Sequence, residues 1–226
     1  MNIDNLKKFI QEIVKKATEL KNKHTSEKKA SVNYACIFCQ NNEQYEDILE
    51  TIKKLGKIIK ETPTGPLFHI APLDTIAGKL NLLKIRKPDP TKPELGDADF
   101  TVGNYSEFKK INLSKKGFSL VTRENFEMIE LVDSDFNVKA YFSNPTLEKQ
   151  LNIAPCGINC STCEAFLAKK ENYNKEKREK IAKEWAKKYN HPGLKADDML
   201  CDGCRSSGTL FSHCKKCKIR KEIKIQ

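Results

Sequence analysis

Apolar positions at the start of the chain recur every three or four residues. Ile3, Leu6, Ile10, Ile13, Val14, Ala17 and Leu20 fall on one side of a helical wheel and lysines on the other, which predicts an amphipathic helix over 3–20. Such a helix is expected to pack on a core rather than to lie on a membrane or a partner. A polar stretch at 21–31 follows, and then the period changes. Val32 to Cys39 reads as a strand, Glu43 to Leu55 as a helix with Ile48, Leu49, Ile52 and Leu55 on one face, and Lys57 to Lys60 as a short strand. Further β-forming segments lie near 67–70, 80–85, 99–102, 118–122, 126–132 and 138–142, with one short helix near Tyr105 to Lys110. Pro63-Thr64-Gly65-Pro66 and Lys87-Pro88-Asp89-Pro90 punctuate them. Strands that follow one another in this way imply a largely antiparallel sheet and an α+β class.

The β-α-β-β-β order of the first of these elements resembles the half-module of glyoxalase-like small-molecule proteins, a likeness of element order covering about half of the N-terminal region. Beyond Ser143-Asn144-Pro145 the pattern differs in kind. Thr162 to Lys169 and Lys175 to Tyr189 read as helices, the second turning Ile181, Ala182 and Trp185 inward and ending at Asn190-His191-Pro192-Gly193. From Cys201 onward the chain is loop-rich, with few residues for a core, so this small piece needs a staple. Two domains are expected: an α+β domain over 1–144, and a small helical, cysteine-rich, metal-stapled domain over 145–226.

Composition narrows the setting. Of 226 residues, 38% are hydrophobic and 31% charged, which is globular, and no apolar run approaches the ~18 residues of a membrane span. The first residues carry Asp4 and no apolar core of a secretory signal. A cytoplasmic protein is therefore expected. Thiols stay reduced there, and the nine cysteines point to metal or redox chemistry before disulfides. The net charge of +11 invites nucleic acid, but the lysines between 169 and 188 are interleaved with Glu171, Glu176, Glu179 and Glu184, as on a solvated helix face. Weak phosphate affinity stays open; no membrane partner is expected.

The strongest chemical signal is Cys156-Gly-Ile-Asn-Cys160-Ser-Thr-Cys163, Cys201-Asp-Gly-Cys204 and Cys214-Lys-Lys-Cys217. A C-x2-C turn aims two thiolates at one ion, and Gly203 permits such a turn. Seven thiolates and His213, beside Cys214, would fill two tetrahedral sites. Cys201, Cys204, Cys214 and Cys217 are closest in sequence and are expected to close one of them. Cys156, Cys160 and Cys163 would form a second, its fourth ligand being His213, His191 or an external group. Zinc is the commoner occupant of repeated C-x2-C turns, and an iron-sulfur cluster is the alternative. Cys156, Cys160 and Cys163 also have the spacing of a radical SAM motif, but only 63 residues follow Cys163, too few for the barrel such enzymes need.

These cysteines, with Glu164-Ala165-Phe166, Trp185, Arg205 and Ile219-Arg220, resemble the cysteine-rich domain-of-unknown-function family 3795. The resemblance covers about 70 residues. It sharpens the expectation of a metal and implies no reaction.

Two other constellations stand out. Cys36-Ile-Phe-Cys39 has redox spacing, but positions i and i+3 of a strand face opposite sides, so ordinary buried cysteines are expected. The stretch from Lys84 to Phe100 is read as a strand end and a rigid loop that could present Arg86, Asp97 and Asp99, with His69 on a strand nearby; a solvated connection is the blander reading. No phosphate-cradling or dinucleotide motif occurs. The sequence therefore points to a metal-binding protein, zinc being the expected ion, in which a cysteine-rich module is fused to an α+β domain that binds a small molecule or a protein. An iron-sulfur redox protein, a small-molecule lyase or isomerase, and a nucleic-acid-associated zinc protein are the alternatives.

Overall fold

The apolar stripe of α1 (Ile3–His24) is buried along its whole length, from Leu6 to Leu20. Asn2 caps it, its side chain accepting the Asn5 N–H at 2.8 Å. Asp4 in the first turn and Lys21, Lys23 and His24 in the last complement the helix dipole. The computed structural model describes residues 1–154, 158–204 and 206–218, and the chain separates into two units, Met1–Leu147 and Glu148–Gln226.

In the first unit β1 (Ser31–Phe38), α2 (Asn42–Ile52), β2 (Gly56–Lys60), β3 (Leu67–Thr75) and β4 (Gly78–Arg86) follow α1. The same order then repeats: β5 (Gly96–Thr101), α3 (Tyr105–Asn112), β6 (Phe118–Thr122), β7 (Glu127–Leu131) and β8 (Lys139–Asn144). All eight strands form one sheet in the order β2-β3-β4-β1-β5-β8-β7-β6. β1 runs parallel to β4, and β5 to β8; the other pairings are antiparallel, including β1 with β5 at the centre. The order thus reads alike from either edge, with the β1–β5 pair in the middle. The β-α-β-β-β pattern read for part of the domain is a repeat that uses every strand, and the class is α+β.

The alternation of each central strand divides its side chains between two environments. Ala35, Ile37, Leu83, Ile85, Ala98, Phe100, Ala140 and Phe142 join one core with the stripe of α1, with Ile48 and Ile52 of α2, and with Phe108 of α3. The Phe108 and Phe142 rings lie 4.4 Å apart. Because successive strand residues face opposite sides, Tyr34, Cys36, Lys84, Arg86, Asp97, Asp99, Lys139 and Tyr141 lie on the face turned away from this core. Strand β5 starts earlier than the segment read at 99–102, so that Asp97, read as part of the rigid loop, belongs to it together with Asp99. Close approach of β1, β5 and α1 explains Gly96: a Cβ there would stand 2.1 Å from the Cys36 carbonyl oxygen and 3.1 Å from Ile13 Cδ1. Gly96→Ala is expected to lower the stability of this unit by roughly 1–3 kcal/mol, read from the urea midpoint.

The short α4 (Leu147–Gln150) begins at the last residue of the first unit, and the second contains α5 (Glu164–Lys170), α6 (Lys175–Lys188) and α7 (Ser212–Lys215), with tight turns at Cys160–Thr162 and Ala196–Met199. Its core is small. Ala165, Ile181, Ala182, Met199 and Cys201 are buried, and Tyr173, Trp185, Leu194 and Phe211 pack around them. Trp185 Nε1 donates to Glu164 Oε2, and its ring meets Tyr189 and Phe211 edge-on at 5.5 and 5.4 Å. Among the described residues, no helix is long and apolar enough to cross a membrane.

Candidate functional site

The cysteines of the second unit are placed by the start of α5. The tight turn before it is closed by the Cys163 N–H donating to the Cys160 carbonyl at 3.1 Å, and Asn159 accepts the Ser161 N–H at 2.8 Å. Cys201 is tied to α5 itself, its N–H donating to the Ala165 carbonyl at 3.1 Å. Gly203, at φ +90°, lets the chain turn after Cys201, and its N–H donates to Cys201 Sγ at 3.3 Å. Cys163 consequently lies close enough to Cys160 and Cys201 for both to act on its thiol. Burial raises its pKa most, the amides of Phe166 and Ala165 pull it down, and the two neighbouring sulfurs push it up. Cys160 and Cys204 pack together with Ala154 and Phe166.

The pair 160/163 thus lies beside the pair 201/204, whereas sequence distance alone groups Cys201 and Cys204 with Cys214 and Cys217. The physical reason is that Ala165, Met199 and Cys201 share a core, whereas the entropy of closing a longer loop rises by only about 0.6 kcal/mol per doubling. Cys214 and Cys217 form their own turn at α7, the Cys217 N–H donating to the Cys214 carbonyl at 3.3 Å. Both are half-buried, while His213 and His191 are exposed. Cys156 lies outside the described residues. Among the described residues, no three His, Cys, Asp or Glu side chains are already arranged to hold an ion. The donor chemistry nevertheless fits a soft divalent ion: two C-x2-C turns meet, and a backbone amide addresses one sulfur.

Residues 152–225 match the family described as Protein of unknown function (DUF3795). This segment holds all seven C-terminal cysteines. No curated protein matches the chain. Among solved structures, a structural-genomics protein, EC4020, is 12% identical with a TM-score of 0.50, the match covering 62% of this chain and 86% of that one; the likeness is one of fold. A glyoxalase/bleomycin resistance protein/dioxygenase superfamily member from Vibrio splendidus 12B01 is 6% identical over 50% of this chain and 97% of its own, with a TM-score of 0.32. The hypothetical protein BH1468 from Bacillus halodurans C-125 is 13% identical over 50% and 93%, also with a TM-score of 0.32.

The DUF3795 segment excludes the first unit, whose outward sheet face carries a second concentration of chemistry. Strand register aligns Lys84, Cys36, Asp97 and Lys139 in one row across β4, β1, β5 and β8, and Tyr34, Asp99, Tyr141 and Glu130 in the next. A bulge in β1 between Val32 and Tyr34 brings Asn33 to the same face, where its Nδ2 donates to Asp99 Oδ1 at 3.2 Å. Ser143 donates to Asp99 through both its N–H and its hydroxyl. Lys139 pairs with Glu130 at 3.1 Å and Glu94 at 3.3 Å, and the Tyr141 hydroxyl donates to Glu130 at 2.8 Å. Burial raises the Asp99 carboxyl to about 6 even with its Ser143 and Asn33 donors. Burial and the Asp99 charge push Asp97 up to about 8, against the pull of Lys84, Arg86 and Lys139. Arg86 pairs with Asp89 at 2.9 Å, and His69 is half-buried on β3. Cys36 points to this polar face and Cys39 into the apolar core. Burial raises both thiols, Cys39 to about 12, so neither is poised for redox exchange.

Proposed function

We propose that the chain is a metal-binding protein whose cysteine-rich unit is held together by zinc. The observation that carries this reading is the meeting of two C-x2-C turns at α5, Cys160 and Cys163 from one and Cys201 and Cys204 from the other. Four thiolates complete a closed tetrahedral site, which is a structural site rather than a catalytic one. Cys156, Cys214, Cys217 and His213 supply the donors for a second ion. The chemistry zinc supplies here is cross-linking: it joins α5 to the segment after α6, in a unit whose core is too small to fold readily alone.

Elemental analysis of protein purified without oxygen tests this. About two equivalents of zinc per chain and a colourless solution are expected. Brown protein with iron and sulfide would replace zinc by a cluster, and less than about half an equivalent of either metal would overturn the reading altogether.

A further inference from the structure

The polar sheet face of the first unit has a floor and a rim. Cys36, Asp97 and Asp99 form the floor and are buried, while Tyr34, Lys84, Arg86 and Tyr141 are half-buried, so solvent reaches them. Most of the charges here are answered within the protein. Asp99 has its donors from Ser143 and Asn33, and Lys139 has Glu94 and Glu130. Two places differ. Among the described residues, Lys84 enters no ion pair, its ammonium donating only to Thr64 Oγ1 at 2.7 Å. Asp97 is 6% exposed, yet its Oδ1 has no hydrogen-bond partner among the described residues, and neither has Arg86 Nε. A buried polar atom without a partner is costly. An acceptor or donor left open on Asp97 and another on Arg86, beside a Lys84 ammonium that Asp97 and Cys36 influence without forming an ion pair with it, mark a place where a polar molecule completes the bonding.

We propose that this face binds a short organic carboxylate, its carboxylate taken by Lys84 and Arg86 and an oxygen on the adjoining carbon accepting a hydrogen bond from the Asp97 carboxyl. Lys84 and Asp97 stand either side of Cys36 in the same row, about 10 Å apart between backbones at the usual strand spacing. Since a lysine side chain covers much of that distance, a molecule that bridges the two groups needs only a few carbons. The groups that face Asp97 are Tyr34 and Cys36 from β1, Lys84 and Arg86 from β4, Asp99 from its own strand, and Lys139 and Tyr141 from β8. With its ordinary charge, Asp97 would repel an anion. Held protonated at neutral pH by burial and by Asp99, it instead offers an O–H that only an acceptor can satisfy. A 2-oxo acid presents both halves of the pattern, a carboxylate and a neighbouring carbonyl oxygen.

The test is a titration of the ¹⁵N-labelled full chain with pyruvate, acetate and inorganic phosphate. Pyruvate is expected to shift the amides of Cys36, Lys84 and Asp97 saturably, and to bind at least about tenfold more tightly than acetate or phosphate. Lys84→Met should weaken pyruvate about tenfold or more. In the wild type the affinity should fall as pH rises above about 8, and Asp97→Asn should abolish that fall. Should Lys84→Met fail to fold, the pH profiles of wild type and Asp97→Asn decide. No saturable shift with pyruvate up to about 50 mM, equal binding of phosphate, indifference of a folded Lys84→Met variant, or a pH profile that Asp97→Asn leaves unchanged would each overturn the proposal.

Discussion

Cys160→Ser and Cys201→Ser are expected to unfold the second unit to the same extent, and the double variant to be no worse than either. The two cysteines lie on different turns but flank the same neighbour, Cys163, so with zinc bound each change empties the same four-thiolate site. A structural zinc ion contributes on the order of 10 kcal/mol to the folding of a small module. The apolar core it supports comprises only Ala165, Ile181, Ala182, Met199 and Cys201 with their surrounding aromatics, which cannot compensate for a loss of that size. Hydrogen exchange is the measurement: protection should vanish over α5 and α6 in both variants while β1, β4 and β5 keep theirs. A folded Cys160→Ser protein that has lost one ion, beside an unfolded Cys201→Ser protein, would mean that the two pairs serve separate sites.

Replacing Asp97 by asparagine is expected to stabilise the first unit increasingly from about pH 4 towards alkaline pH and to change little below about pH 4. Folding raises this carboxyl from its ordinary 3.8 to about 8, through burial first and the Asp99 charge second. The folded protein therefore holds a proton that the unfolded chain has already released. Stability contributed by the neutral form is fully present below about pH 4, declines as pH climbs towards 8, and levels off above it. Each tenfold difference in proton affinity between the folded and unfolded chains is worth about 1.4 kcal/mol, so the loss across that window amounts to several kcal/mol. Asparagine has nothing to ionise, so its curve should stay flatter, and by about pH 9 the variant should exceed the wild type by about 2 kcal/mol or more. Urea unfolding at intervals from pH 5 to 9 checks this; parallel curves would show that Asp97 releases its proton in the folded state as easily as in the unfolded one.

Much of this architecture is legible in the sequence because local pattern and burial agree. The period of about 3.6 residues from Ile3 to Leu20 marks α1, and α2, α3, α5 and α6 fall close to where apolar spacing puts them. Strand β5 is harder to read. Its sequence, Gly-Asp-Ala-Asp-Phe-Thr, has two carboxylates in a segment buried on both sides, contrary to the rule that acidic residues stay wet. The signal that marks it is the strict alternation of Asp97, Asp99 and Thr101 with Ala98, Phe100 and Val102. Starting the strand only at Asp99 and leaving Asp97 to the loop hides the sheet face on which the two carboxylates lie. The nearness of Cys201 to Cys163 is obscured for another reason. Nearness along the chain is a weak guide when loop closure varies so little with length, and the Cys201 to Ala165 hydrogen bond arises from packing that spacing alone does not reveal.

The repeated strand order leaves the sheet with two outer edges, β2 and β6, and they are defended unequally. β2 is five residues long and carries Lys57 and Lys60, charges that discourage a foreign strand from docking. β6 is equally short but reads Phe-Ser-Leu-Val-Thr, with no charge of its own and with Leu120 38% exposed. Its protection comes from outside the strand: Lys115 and Lys116 precede it, and Arg123 and Glu124 follow. These four side chains act as gatekeepers against a foreign strand that would otherwise extend the sheet at β6.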